Sequence, residues 1–162
     1  MIIHVKNKNT LIIDDFRFKC CIGKNGFISN KKEGDYSTPK GLFNLNNLYF
    51  RKDRVRIPKC IIGKKIIKEN MAWCDDPDSQ KYNEEIKIYS NNHRESLYRN
   101  DHKYDYILTI NHNPKKIAGN GSAIFIHLTD DYKPTAGCIA LQKKDFEILL
   151  KLINKKTKIK IG

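Results

Sequence analysis

A chain of 162 residues, 40% hydrophobic and 30% charged, is long enough to bury a core and too ordinary in composition to be globally disordered. The formal net charge of +13 invites a polyanion partner, but it comes from 25 lysines against 6 arginines, alongside 16 asparagines and 23 isoleucines, the bias of AT-rich coding. Arginine supplies the planar fork that grips phosphate, so its scarcity argues against a specific nucleic-acid partner and leaves general attraction to anionic polymers, cell-wall material included.

Five cysteines, at 20, 21, 60, 74 and 138, are an odd number without a C-x-x-C pair, so neither a full disulfide framework nor a zinc ribbon is indicated. The N-terminal Met1 to Lys6 lacks the apolar core of a secretion signal, and no run of 18 apolar residues offers a membrane span. The chain as it stands reads as cytoplasmic, with one domain over residues 1–162. Nothing in it fixes the oligomeric state.

In chain order, Ile2–Val5, Leu11–Ile13 and Phe16–Ile22 read as a β-meander punctuated by Asn7-Lys8-Asn9 and Asp14-Asp15. Alternation places Phe16, Phe18 and Cys20 toward the core, with Cys21 on the other side. Gly23 to Gly26 is a turn, and Ser29 to Ser37 reads as a polar, mobile loop without the G-x-x-x-x-G-K of a phosphate loop. Thr38-Pro39-Lys40-Gly41 reads as a turn launching a strand over Leu42–Phe50. Arg51–Ile57 alternates charged and apolar residues as an exposed strand does, and Ile61–Ile67 reads as a hairpin about Gly63-Lys64.

Met71–Asn83 reads as a loop holding the only tryptophan, Trp73, and the carboxylates Asp75, Asp76 and Asp78. Adjacent carboxylates either form a solvated turn or hold an ammonium group or metal. Asn91–Arg99 reads as a short capped helix, and Asp101–Asp105 as a turn before a buried strand reaching Ile110. His93, His102, His112 and His127 raise a metal alternative, which the lack of H-E-x-x-H and of any i,i+4 histidine pair weakens; His102 is instead placed to bond an acid near a cleft. Phe146, Leu149, Leu150 and Ile153 repeat at helical spacing, with Asp145 early and Lys151 late, and Thr157–Ile161 alternates as a closing strand.

The stretch Gly121–Leu128 reads as a strand with Phe125 and His127 on one face and Ile124, Ile126 and Leu128 on the other. A polar loop through Pro134 then leads to Thr135-Ala136-Gly137-Cys138, which opens a second strand. If the loop returns Cys138 to His127, an imidazole can take the proton of a thiol whose ordinary pKa, about 8.5, leaves little thiolate at neutrality. Gly137 admits a close substrate carbonyl, and the consecutive amides of Gly137 and Cys138 offer a pair of donors to an oxyanion. Taken one at a time, a strand cysteine is more often a buried small hydrophobe and a strand-end histidine more often structural.

His127 followed by Thr135-Ala136-Gly137-Cys138-Ile139 resembles the signature of the L,D-transpeptidase catalytic domain (YkuD) family. Ser37-Thr38-Pro39-Lys40-Gly41-Leu42-Phe43 is similar to its Thr-Pro-x-Gly-x-Phe segment, and the likeness runs from about Lys24 to Leu150. Trp73–Pro77, Tyr82-Asn83 and Asp101–Asp105 are similar to a compact branch of the family. Ala136 stands where most members carry a second histidine, Ala140 where many carry an arginine, and the separation of 11 between His127 and Cys138 is shorter than usual.

The resemblance implies a mainly β fold, a curved β-sandwich with one or two helices. It implies a Cys138 thioester formed on a peptidoglycan stem peptide, with His127 as base and no cofactor. Cys138, His127 and Gly137 are then the catalytic residues, and Thr135, Trp73, Asp75, Asp76 and His102 the substrate-binding ones. A peptidoglycan substrate places the reaction in the bacterial periplasm or cell envelope, against the cytoplasmic reading of the N-terminus. An L,D-carboxypeptidase or related hydrolase, and a non-catalytic basic wall-binding module, stay open as alternatives.

Overall fold

The computed structural model describes residues 1–88 and 94–162. The fold is mainly β, with fourteen strands and one helix among those residues. The strands are β1 (Ile2–Lys6), β2 (Thr10–Ile13), β3 (Phe16–Lys19), β4 (Phe27–Ile28), β5 (Thr38–Pro39), β6 (Gly41–Phe50) and β7 (Lys64–Ile66). They continue with β8 (Met71–Cys74), β9 (Glu85–Lys87), β10 (Arg94–Ser96), β11 (Tyr106–Ile110), β12 (Phe125–Leu128), β13 (Ile139–Leu141) and, after helix α1 (Lys143–Leu152), β14 (Lys158–Ile161).

Nine strands form one curved sheet in the order β13-β12-β11-β6-β14-β1-β2-β3, with β7 pairing beside β6. The chain just beyond β3 meets the far edge again, where Cys21 and Ala140 exchange backbone hydrogen bonds at 3.0 and 2.9 Å. This nearly closes the sheet on itself and leaves little unpaired edge. The interior holds Ile3, Val5, Leu11, Ile13, Leu48, Leu108, Ile126, Ile139 and Ile159, all buried and projecting from alternate positions of their strands.

A second apolar cluster lies on the outer side: Tyr49, Ile67, Met71, Leu97, Tyr104, Ile107 and Phe125, roofed by the small sheet β10-β8-β9. Strand β11 is therefore covered on both faces. All five of its residues are buried, and Tyr-Ile-Leu-Thr-Ile lacks the polar alternation of a one-sided strand for that reason.

Helix α1 follows the apolar repeat, burying Phe146, Leu149 and Leu150, with Asp145 in its first turn and Lys151 in its last. Phe146 stacks on Tyr106 with ring centroids 5.5 Å apart. The closing strand β14 lies in the middle of the sheet, parallel to β1 and antiparallel to β6.

Several local expectations give way to tertiary contacts. Residues 52–55 form a turn rather than an exposed strand, because Arg51 is buried, stacked 3.6 Å over Tyr98 and forked onto Asp53. Lys64–Ile66 pairs parallel to β6 instead of folding into a hairpin. Met71–Cys74 is a strand, not a loop, and Arg94–Ser96 pairs with it where a helix was expected; residues 91–93 of that expected helix, including His93, lie outside the described residues. Thr38-Pro39 pairs with Phe27-Ile28 instead of standing as a free turn. Phe16 is 45% exposed, since it sits at the end of edge strand β3, while Phe18 and Cys20 are buried. All five cysteines are free thiols. No helix among the described residues is long and apolar enough to cross a membrane.

Candidate active site

Strands β12 and β13 run side by side in parallel, with Ile126 opposite Ile139 and His127 opposite Ala140. Cys138 therefore stands next to Phe125, and His127 lies one diagonal step along the same face. The aliphatic partners Ile124, Ile126 and Leu128 point the other way into the interior, as the alternation predicts.

His127 and Cys138 border one cleft of about 460 Å³. The imidazole is buried at 7% exposure, edge-on to the Tyr104 ring at 5.2 Å. Its Nδ1 lies 2.9 Å from the Leu128 carbonyl, which only accepts, so Nδ1 carries the proton and Nε2 the lone pair. Burial pushes the His127 pKa down to about 4, and the Arg99 and Lys103 cations push the same way against the Leu128 hydrogen bond. The ring is neutral at pH 7.

The thiol is prepared differently from an ion-paired cysteine. Burial pushes the Cys138 pKa up to about 12, offset in part by the Phe125 amide. Sγ donates to the Ala123 carbonyl at 3.2 Å and accepts from the Phe125 amide at 3.4 Å. Ala123 holds φ +50, a left-handed conformation unusual for a residue with a side chain, and this local strain aims its carbonyl at the sulfur.

Asn83 keeps Ala123 in place. Its Oδ1 accepts from the Ala123 amide at 3.2 Å and from Trp73 Nε1 at 2.9 Å, while Nδ2 donates to the carbonyls of His112 and Asn113. Sequence reasoning places Trp73 in the cleft. The indole instead packs edge-on against Phe125 at 5.3 Å and Tyr49 at 6.3 Å, behind the cleft wall, and connects to the sulfur through Asn83 and Ala123.

The loop before the nucleophile is tied by Thr135, whose hydroxyl donates to the Cys138 carbonyl at 2.6 Å and accepts the Gly137 amide at 3.1 Å. One of the two amides expected to face an oxyanion is thus already engaged. Gly137 has φ +148, and a Cβ there would come within 2.9 Å of the Ser37 carbonyl. The Thr38 hydroxyl donates to the Gly137 carbonyl at 2.8 Å and accepts the Gly23 amide at 2.9 Å, so the Thr38-Pro39 segment directly supports the nucleophile loop.

Asp75 and Thr135 line the cleft; Asp76 and His102 do not. Asp76 accepts the Asp78 amide at 3.0 Å in a turn, and exposed His102 pairs with Asp130 at 2.6 Å. Glu95, Arg99 and Lys31 line the cleft and carry no signal in the sequence, while Tyr104, also in the lining, belongs to the family-like Asp101–Asp105 segment without a role read for it. Glu95 is raised above the usual carboxylate range by burial, with the Arg99 guanidinium 3.5 Å away working against that rise. Arg99 lies 5.0 Å over the Tyr104 ring and is forked onto Asp101. No group of three or more His, Cys, Asp or Glu among the described residues is arranged to hold a metal ion.

The nearly closed sheet thus carries a histidine on one strand and a cysteine at the start of its parallel neighbour, both beside one cleft. The model of the L,D-transpeptidase catalytic domain, YkuD, matches residues 2–161, and the chain belongs to that family. Bd1075 of Bdellovibrio bacteriovorus is similar in fold, at 16% identity and a TM-score of 0.51 over 99% of this chain and 47% of that one. The helical cell shape determining protein Pgp2 from Campylobacter jejuni is similar at 18% identity and a TM-score of 0.55, over 99% of this chain and 46% of that one. The chain thus spans about half the length of either structure. A search of curated protein sequences gives no match.

Proposed function

We propose that residues 1–162 form one catalytic domain that carries out acyl transfer on peptidoglycan stem peptides through a Cys138 thioester. The observation that carries this reading is that His127 on β12 and Cys138, the residue just before the parallel neighbour β13, border the same cleft, with the imidazole held in the tautomer whose Nε2 accepts a proton.

Both groups are neutral at rest, so proton transfer accompanies attack instead of preceding it. Cys138 Sγ turns from the Ala123 carbonyl, its proton passes to His127 Nε2, and the sulfur bonds to the carbonyl carbon between the diamino acid and the terminal D-alanine. The C–N bond breaks, and D-alanine leaves with the proton that His127 held. An amine of another stem, a free D-amino acid or water then attacks the thioester, gives its proton to His127 and releases the thiol. The Cys138 amide is the member of the expected donor pair left to meet the oxyanion, because the Gly137 amide is held by Thr135.

A hydrolytic outcome is the second reading. Ala136 and Ala140 replace the histidine and arginine frequent in the family, and a similar structure belongs to a protein described as determining helical cell shape. Trimming stems is one chemical route to altered wall curvature, and it needs only water as acceptor.

Intact mass after incubation with a carbapenem tests the nucleophile: an adduct absent from Cys138→Ala supports the thioester reading. No adduct at any pH favours a non-catalytic, basic wall-binding role. Product analysis with a tetrapeptide stem, with and without an added amine, separates transferase from hydrolase.

A further inference from the structure

Strand β13 brings no cation to the cleft at position 140, where the residue is the uncharged, cleft-lining Ala140. Ala140 is fully buried, opposite His127 on one side and bonded to Cys21 on the other. A cation reaches the cleft from another part of the chain. Lys31 belongs to the segment that reads from sequence as a polar mobile loop, yet its side chain is only 5% exposed and lines the cleft.

Several neighbours place Lys31. Its Nζ donates to Asp35 Oδ1 and to the Lys32 carbonyl, both at 2.6 Å. Asp35 is itself fixed by the amides of Lys32 and Ser37 at 2.8 and 2.9 Å. The lysine stem runs between two glycines: a Cβ on Gly121 would sit 2.7 Å from Lys31 Cγ, and one on Gly137 would sit 3.8 Å from Cε. Its charge is felt by the Cys138 thiol. A buried ammonium held by one carboxylate and one carbonyl has a third N–H left, and a second carboxylate is the group best suited to it.

The other cleft cations are less suited. All are more open to water than Lys31, whose side chain is 5% exposed: the Arg99 side chain is 35% and the Lys133 side chain 81% exposed, and Lys103 is exposed as well, so their charges are better screened.

We propose that Lys31 holds the free α-carboxylate of the substrate's terminal residue, so that the site selects peptides whose scissile bond is the last one. This inference rests on the acyl-transfer reading for the identity of the peptide. It gives Lys31 a binding role that the uncharged Ala140 does not fill, and it makes the Asp35 loop part of substrate selection.

The test compares a tetrapeptide stem ending in a free carboxylate with the same peptide ending in a carboxamide. Both are titrated calorimetrically into Cys138→Ala protein, with Lys31 intact or as Lys31→Met. With Lys31 intact the acid should bind ~10-fold or more tightly than the amide, the scale of a charge-assisted hydrogen bond, and in Lys31→Met the ratio should fall to about two or less. A second measurement needs no change at position 31: in 15N-lysine-labelled Cys138→Ala protein, the acid and not the amide should shift the Lys31 Nζ resonance.

No acid preference with Lys31 intact, an unchanged preference in Lys31→Met, or no resonance shift would overturn the proposal. Turnover by the Cys138 protein distinguishes the two readings. Lys31-dependent acid binding without cleavage sinks acyl transfer and leaves this assignment, whereas cleavage with the same acid-to-amide ratio in Lys31→Met does the reverse.

Discussion

The Cys138 thiol donates to the Ala123 carbonyl at 3.2 Å, so the resting proton of the nucleophile is held by the backbone and not by the imidazole beside it. This contact rests on a left-handed Ala123, which rests in turn on Asn83. The thiol and ring are a neutral couple whose pKa values, about 12 and about 4, exclude a standing thiolate–imidazolium pair near neutrality.

Alkylation of Cys138 by iodoacetamide, followed by intact mass, should therefore accelerate with pH without levelling off below about pH 10. A plateau between pH 6 and 7 would mean a preformed ion pair and contradict this description of the site.

Substitution Asn83→Ala leaves the Trp73 Nε1–H and the Ala123 amide without their acceptor. Both groups are partly buried, so each left unpaired costs about 1 kcal/mol, the low end of the range for a buried donor. The midpoint of urea denaturation should fall, and the protein that remains folded should form a carbapenem adduct more slowly because Ala123 no longer holds the sulfur. Trp73→Phe, which keeps the ring and loses one donor, should show a smaller version of both effects. Equal adduct rates in Asn83→Ala and the parent would remove Asn83 from the positioning chain.

Gly137→Ala and Gly34→Ala form an internal comparison. Both glycines have positive φ, +148 and +71, but a Cβ at 137 meets the Ser37 carbonyl at 2.9 Å, while at 34 nothing lies within 4 Å. Gly34→Ala should cost about 1 kcal/mol of backbone strain. Gly137→Ala should cost more, because the nucleophile loop must move to relieve the clash, and thioester formation should be lost with it. Similar denaturation midpoints for the two variants would count against the tight fit at 137.

His127 also makes stability depend on pH. Its pKa is depressed from 6.5 to about 4 on folding, so between those values the unfolded chain binds a proton that the folded one does not. Stability is then fully present above pH 6.5 and falls as pH drops toward 4, by about 3 kcal/mol over the window. In His127→Gln this part of the acid loss should vanish, leaving the smaller contribution of His112, whose pKa burial also lowers. Parallel stability profiles for parent and variant between pH 7 and 4 would show that the ring is not buried as described.

The periodic parts of the fold are legible in the sequence. Phe146 to Ile153 repeats every helical turn, and the alternation in β1, β2, β12 and β14 gives both the strands and their inward faces. Alternation misleads where one side chain finds a distant partner. Arg51 to Ile57 has the pattern of a strand, but stacking of Arg51 on Tyr98 turns the chain there. Within the site, Cys138, His127 and Gly137 stand out because their chemistry and order form a motif. Lys31 and Glu95 do not, since each is an ordinary polar residue in a polar stretch until folding encloses it, and Asn83 stands out only as part of the family-like Tyr82-Asn83 pair, with no role attached. Trp73 shows the opposite failure: an unusual residue type that the fold uses as a wedge behind the cleft wall.

Parallel pairing of β12 with β13 makes the hydrogen-bonded ladder, and not the intervening peptide, the ruler that separates sulfur from imidazole. The segment from Thr129 to Pro134 can then shorten or lengthen without changing that distance, which accounts for a spacer more compact than is usual in the family. Grafting a longer spacer here would be a loop-engineering problem and leave the chemistry where it is.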